Sequence, residues 1–191
     1  MKTPIRHRAS GFTLIELLVV IAIIAVLASV AFVAGNKAVQ NAKRAKAQAV
    51  AFSIISAVDS FQSENGSMPV PVGNSGKEGG SLFRTDSGDG VKVINILLGK
   101  EDEVNARKVA YLKTKEGKAK KDGLIYNSQN TEVTGLYDPF GNPYYVVLDT
   151  NYEEKIKVRP ANTETTLNRK AAVYSAGADK KLGTPDDVKT W

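Results

Sequence analysis

Hydrophobic and polar positions divide the chain into stretches of different rhythm. Residues 12–34 are apolar all round, interrupted only by Thr13, Glu16 and Ser29, and no charge falls within 17–34. A helix without a polar face belongs in a core or a membrane, and crossing a bilayer core takes roughly 20 such residues. Past Gly35 the rhythm becomes amphipathic. Ala47, Val50, Ile54, Ala57, Val58 and Phe61 recur at helical spacing, which marks one buried face. Lys37, Lys43, Arg44, Lys46 and Gln48 crowd its start, and Asn65-Gly66, followed by Pro69 and Pro71, stops it. Segments 12–35 and 36–65 thus read as the apolar and amphipathic halves of one long helix, with Gly35 its weakest point.

Beyond the helix, 66–90 is rich in glycine and serine and reads as loop, with Asp86 and Asp89 as turn residues. Residues 91–98 (VKVINILL) fit a short buried helix or a strand equally, and 107–112 (RKVAYL) lean towards a strand. Five lysines stand in 113–123 against Glu116 and Asp122, an exposed loop. No aromatic residue interleaves them to stack on bases, so nucleic acid is not the expected partner. Turn formers fill 138–143 (DPFGNP), then 144–148 (YYVVL) and 155–158 (KIKV) alternate around a turn at 149–154. They predict an antiparallel hairpin. A polar connection, 160–170, leads to a third strand at 171–175 (AAVYS). A small sheet with one apolar face needs a second layer, and the amphipathic stem supplies it. The fold class is α+β: a long N-terminal helix packed on a small antiparallel sheet, with 66–191 as the globular head.

Composition narrows the chemistry. The 191 residues include no cysteine and a single histidine, His7, and the formal charge is +6. Disulfides, cysteine-based metal centres and thiol nucleophiles are excluded. Residues 1–11 carry Lys2, Arg6 and Arg8 and no acid, which keeps that side of an apolar span in the cytoplasm and sends the rest of the chain across the membrane. Two readings fit this segment. It is a retained anchor, or a secretory signal peptide cut after Ala31, with small residues at Ser29 and Ala31. Glu16, inside the apolar edge, weighs against the second, because an acid there costs on the order of 2.5–3.5 kcal/mol at the bilayer centre and calls for a partner.

The segment 175–188 (SAGADKKLGTPDDV) gathers Asp179, Asp186 and Asp187, with Gly177 and Gly183 permitting tight turns. Calcium takes six to eight oxygen ligands, carboxylates mixed with backbone carbonyls, and a bent acidic loop offers both. The spacing is not that of an EF-hand. An acidic surface loop without an ion fits the same residues. No nucleophile or pocket residue accompanies the aspartates, so the chain is not expected to be an enzyme.

The run Gly11-Phe12-Thr13-Leu14-Ile15-Glu16-Leu17-Leu18-Val19-Val20 resembles the class III signal of type IV pilins and type II secretion pseudopilins. The resemblance implies cleavage between Gly11 and Phe12 by a prepilin peptidase, N-methylation of Phe12, and retention of the apolar helix. Losing Lys2, Arg6, Arg8 and His7 would lower the formal balance from +6 to +3 and leave no histidine. In that family the glutamate at the position of Glu16 pairs with the new N-terminal amine, often a neighbour's, each charge offsetting the other's desolvation.

The elements DPFGNPY at 138–144 and S-A-G-A-D-K-K-L-G-T-P-D-D-V at 175–188 resemble the G-type major pseudopilin. Carried over residue by residue, Asp179, Asp186 and Asp187 would be side-chain ligands of Ca2+, with Ala176, Lys181 and Thr184 adding oxygens, mostly backbone carbonyls. The chain departs from that pattern at Phe140, where tryptophan is usual, and at Lys180, where glycine is usual. The stretches 67–136 and 149–170 are also longer. The resemblance implies a single-pass inner-membrane protein with a periplasmic C-terminal domain. It would assemble into a homo-oligomeric filament with minor pseudopilins and the inner-membrane secretion platform. A type IV pilin and a secreted calcium-binding module are the alternatives.

Overall fold

The computed structural model describes residues 13–74, 76, 78–161 and 163–191, with backbone only at 30–34. The chain divides after Asn41 into two compact units. The helix α1, Leu14–Asn65, contributes to both and runs through Gly35, so the expected weak point is not a break.

In the first unit, α1 carries no charge between Leu17 and Ala34, and its large residues from Leu14 to Leu27 are exposed, Leu14 at 83% and Val20 at 44%. Among the described residues of this unit nothing covers them. Among the described residues no helix is long and apolar enough to cross a membrane. Of the expected span 12–34, Phe12 and the side chains of 30–34 lie outside the described residues.

The second unit is built on the amphipathic part of α1. Ala47, Ala51, Ile54, Ala57, Val58 and Phe61 are buried, and Val50, expected among them, only flanks the core. Fully burying a side chain such as Ile54 or Phe61 contributes about 1.5–3 kcal/mol. The helix ends as its residues predict. Gly66 takes φ +70, and its N–H donates to the Gln62 carbonyl at 2.8 Å, which is the left-handed cap glycine permits at low cost.

Against this face lies a four-stranded antiparallel sheet in the order β1 (Ser81–Arg84), β4 (Tyr145–Leu148), β7 (Ala171–Ser175), β8 (Val188–Lys189). Alternation sorts its side chains. Phe83, Val146, Leu148, Ala171, Val173 and Val188 join the helix residues in one core, while Val147, Ala172 and Tyr174 face the other way and meet Ile156 and Val158. Both faces are therefore covered, which is why β7 is buried along its whole length.

Several expectations change, beginning with 66–90, read as loop, which holds β1 and the start of a helix at Gly88. The strand 155–158, observed as β5 (Ile156–Val158), pairs with β6 (Thr165–Leu167), not with β4. Both edges of β4 are already taken by β1 and β7, so β5 turns over the outer face and finds its partner inside the segment read as a polar connection. The ambiguous 91–98 falls in a helix, α2 (Gly88–Leu97), whose Val93, Ile94, Ile96 and Leu97 enter the core. Residues 107–112 form no strand. The Tyr111 and Leu112 N–H groups both donate to the Leu97 carbonyl, at 2.9 and 2.8 Å, so the segment caps the end of α2. A second hairpin, β2 (Gly123–Tyr126) with β3 (Val133–Tyr137), completes the unit.

Candidate functional site

The cleavage-site residues Gly11 and Phe12 lie outside the described residues. Glu16 lies at the start of α1 and closes a reciprocal cap. Its Oε2 accepts the Thr13 N–H at 2.8 Å and the Thr13 hydroxyl at 2.8 Å, and the Glu16 N–H donates to Thr13 Oγ1 at 3.3 Å. This is a capping box, two orphan N–H groups of a helix start satisfied by each other's side chains. Its sequence signal, threonine followed three residues later by glutamate, stands in the chain beside the apolar run. Glu16 thus already holds a local partner, and its carboxylate retains acceptor capacity on Oε1 for a second donor.

At the other end of the sequence, the turn 138–143 and the loop 175–188 are joined by a buried polar hub. Asp138 is fully buried. Its Oδ1 accepts the N–H groups of Phe140 and Asn142, both at 2.8 Å. Its Oδ2 accepts Asn142 Nδ2 at 3.1 Å and the Ser175 hydroxyl. Asn142 Nδ2 also donates to the Gly177 carbonyl at 2.6 Å. A buried carboxylate is stable only when so completely satisfied, and here the satisfaction ties the turn to the first bend of the loop. Residue types alone mark 138–143 as a turn; the partners come from β7 and beyond, which sequence spacing does not reveal.

The six loop residues expected at a metal fall into two sets. Asp186 Oδ2 accepts the Asp179 N–H at 2.9 Å, and its Oδ1 accepts the Thr184 hydroxyl. The Thr184 hydroxyl, aided by the Asp179 N–H, holds the Asp186 carboxyl below the ordinary carboxylate range. Asp179 Oδ1 accepts the Lys181 N–H at 2.8 Å, and the Lys181 carbonyl lies 3.2 Å from Thr184 Oγ1. Asp187 faces inward. Its Oδ2 accepts the Gly183 N–H at 2.8 Å and meets Lys189 Nζ at 3.1 Å, while Oδ1 is buried without a hydrogen-bond partner. Ala176 is buried at the start of the loop. Among the described residues, no three His, Cys, Asp or Glu side chains gather closely enough to hold a metal ion.

Lys180 shows how the loop keeps its bend without the glycine usual in the resembling family. It takes φ +60 itself, a conformation that costs a non-glycine residue about 1–2 kcal/mol. The loop is fixed to α1 from the far side. Arg44 donates to the carbonyls of Pro185 and Asp187 at 3.0 and 3.2 Å, and Gln48 donates to the Lys189 carbonyl at 3.0 Å.

Comparison with family models finds the prokaryotic N-terminal methylation motif over residues 6–32. No curated protein and no solved structure matches the chain. The motif is the processing signal of pilin-like proteins and covers the expected cleavage site and Glu16. It supports a pilin-like protein, and an α+β unit with a helix on a small antiparallel sheet is consistent with that fold.

Proposed function

We propose that this chain is a structural subunit of a type II secretion pseudopilus, the G-type major pseudopilin, and that it is not an enzyme. The observation that carries the reading is the methylation motif at 6–32, set before a unit in which a helix covers one face of a small antiparallel sheet. A prepilin peptidase would cut after Gly11, and the Phe12 amine would be methylated. The exposed apolar residues of α1 would lie in the inner membrane before assembly and against other copies afterwards. Glu16, with an acceptor position to spare beyond its Thr13 bonds, would receive the Phe12 amine of a neighbouring copy and so set the register between subunits. Filament growth would involve minor pseudopilins and the inner-membrane platform, and the head would face the periplasm.

Calcium is part of the same reading. The buried, partnerless Oδ1 of Asp187 is an acceptor in want of a cation or donor, and it supports a metal in the loop. Asp179, Asp186 and Asp187, with carbonyl oxygens of Ala176, Lys181 and Thr184, would hold the ion only after the loop draws together carboxylates that stand apart in the described residues. The ion would supply positive charge to the carboxylates of the loop, and its binding energy would add to the stability of the fold.

The first test is the mass of the N-terminal peptide from protein extracted from its native membrane. A chain starting at methylated Phe12 is expected, and a start at Phe32 would overturn the filament reading. Deleting the gene should abolish export of folded enzymes; loss of surface pili with export intact would reassign the chain to a type IV pilus. A soluble form starting at Asn36 should melt higher in millimolar calcium than in chelator. Identical melting would remove the ion from the reading.

A further inference from the structure

Two lysine runs far apart in sequence meet at one end of the second unit. Lys46 and Asp122, 76 residues apart, join at 2.8 Å, and Lys115 bonds the same Asp122 oxygen. Lys43 stands 6.0 Å from the centre of the Phe140 ring. The neighbouring Gly141 packs against the stem of Lys121, whose Cγ would lie 3.2 Å from a Cβ at that position.

Lys118, Lys120 and Lys121 project from a two-residue turn closed by mutual N–H to carbonyl bonds of 3.1 and 3.0 Å. Both central residues of that turn, Ala119 and Lys120, are left-handed, at φ 50 and 55, a geometry that ordinarily selects Asn-Gly. The three lysines are exposed, and among the described residues none of them makes an ion pair. One carboxylate, Asp122, is shared by two ammonium groups and cannot neutralise both. Glu116 lines the same cavity as Lys115, Lys118 and Lys121, so two carboxylates stand against Lys43, Lys46, Lys115, Lys118, Lys120 and Lys121 and the surface keeps a net positive charge.

The place of this surface in the chain indicates its partner. Lys43 and Lys46 open the helical part of the second unit, which begins at Ala42, and Lys43 follows the apolar run 17–34 within a few turns of helix. We infer that the patch formed by Lys43, Lys118, Lys120 and Lys121, around the Lys46–Asp122–Lys115 cluster, is a docking surface for anionic phospholipid headgroups. This rests on the anchoring of 12–34 in a membrane. Ammonium groups on flexible stems suit a mobile field of phosphates, whereas no aromatic residue lies among 113–123 to stack on bases, and Phe140 is half-buried beside Lys43. Each lysine held near an anionic leaflet strengthens attachment on the order of fivefold, within a screening distance of about 8 Å at physiological salt.

The test uses the full chain in nanodiscs, either zwitterionic phosphatidylcholine alone or with a third of the lipid as phosphatidylglycerol. Acylation rates of individual lysines are read by peptide mass spectrometry. Lys170 is the internal reference. It lines a cavity with Asp59, Gln62 and Gly66, about 29 Å from Lys43 along the helix at 1.5 Å per residue. Relative to Lys170, acylation of Lys118, Lys120 and Lys121 is expected to slow at least fivefold in the anionic discs and to recover in 0.5 M salt. Equal relative rates in both discs overturn the docking surface while the anchor stands. A chain that enters neither disc removes the anchor and the docking surface with it. Protection that depends on protein concentration, or on added oligonucleotide, and not on lipid charge would assign the patch to another copy or to nucleic acid and overturn the lipid partner.

Discussion

Replacing Gly177 with alanine probes the bend on which the C-terminal loop depends. Gly177 has φ +66, and a Cβ there would lie 2.3 Å from the Asp186 carbonyl oxygen and 2.8 Å from Asp186 Oδ2. The left-handed backbone alone costs an alanine about 1–2 kcal/mol. The closest atom is backbone, so rotating a side chain cannot relieve the clash and the 186–187 segment must retreat. That segment carries the Asp187 carbonyl, which accepts Arg44 at 3.2 Å, and the Asp187 carboxylate, which accepts the Gly183 N–H at 2.8 Å. Moving Gly177 instead disturbs its 2.6 Å bond from Asn142. Each such bond contributes about 0.5–1.5 kcal/mol. Losing two of them in addition to the strain gives roughly 3–4 kcal/mol. At about 2–4 °C per kcal/mol for a domain of this size, the melting temperature should fall by about 10 °C. The assay is thermal unfolding by circular dichroism of the soluble form starting at Asn36. Gly73→Ala is the control, since Gly73 has φ +89 with nothing within 4 Å of its Cβ; it should cost the strain alone, about 3–5 °C. Equal drops for the two variants would refute the close approach of Gly177 to Asp186.

Three further outcomes are expected. Burial pushes the Tyr174 hydroxyl up to about 12 and raises Tyr144 above the ordinary tyrosine range. The unfolded chain releases these protons first, so stability is intact below pH 10 and falls as pH rises towards 12; ultraviolet titration should show tyrosinate absorbance from these two residues rising only with unfolding, and early ionisation of all tyrosines would contradict it. Lys180→Gly should raise the melting temperature by about 1–3 °C, because glycine relieves the φ +60 backbone at a smaller entropic cost; a fall would show the lysine side chain to be stabilising the bend. Asp138→Asn replaces one acceptor oxygen of the buried hub with a donor facing Asn142 or Ser175, at about 2–3 kcal/mol. Amide exchange should then accelerate across 175–187, and unchanged exchange there would show that the hub does not hold the loop.

The parts of the fold legible in the sequence are those where one element's own periodicity decides its place. The helix stop at Asn65-Gly66, the buried stripe through Ala47, Ile54 and Phe61, and the strands at 145–148 and 171–175 are of this kind. What stayed hidden depended on competition between distant segments. The β5 strand has the right alternation to pair with β4, but β1, embedded in a glycine-rich stretch read as loop, holds one edge of β4 and β7 holds the other. Residues 107–112 have strand composition, but their N–H groups are claimed by the Leu97 carbonyl. At the candidate site, Thr13 and Glu16 carried a capping signal overshadowed by the apolar run. The inward turn of Asp187 away from Asp179 and Asp186 depends on Lys189 and Gly183, which residue spacing cannot orient.

The bonds that tie Arg44 and Gln48 to the loop and to β8 reach across 141 and more residues, and they set the order of events during synthesis. A ribosome delivers the helix early, with Ala47, Ile54 and Phe61 exposed along one face. The strand that closes the sheet beneath that face, and the carbonyls that anchor the helix, emerge only with Pro185 to Lys189. Because such long-range contacts need the whole intervening chain before they form, this side of the second unit closes late. Until those residues arrive, Val188 is missing from the core and Arg44 and Gln48 lack their carbonyl partners, so the sheet edge beside the helix stays open.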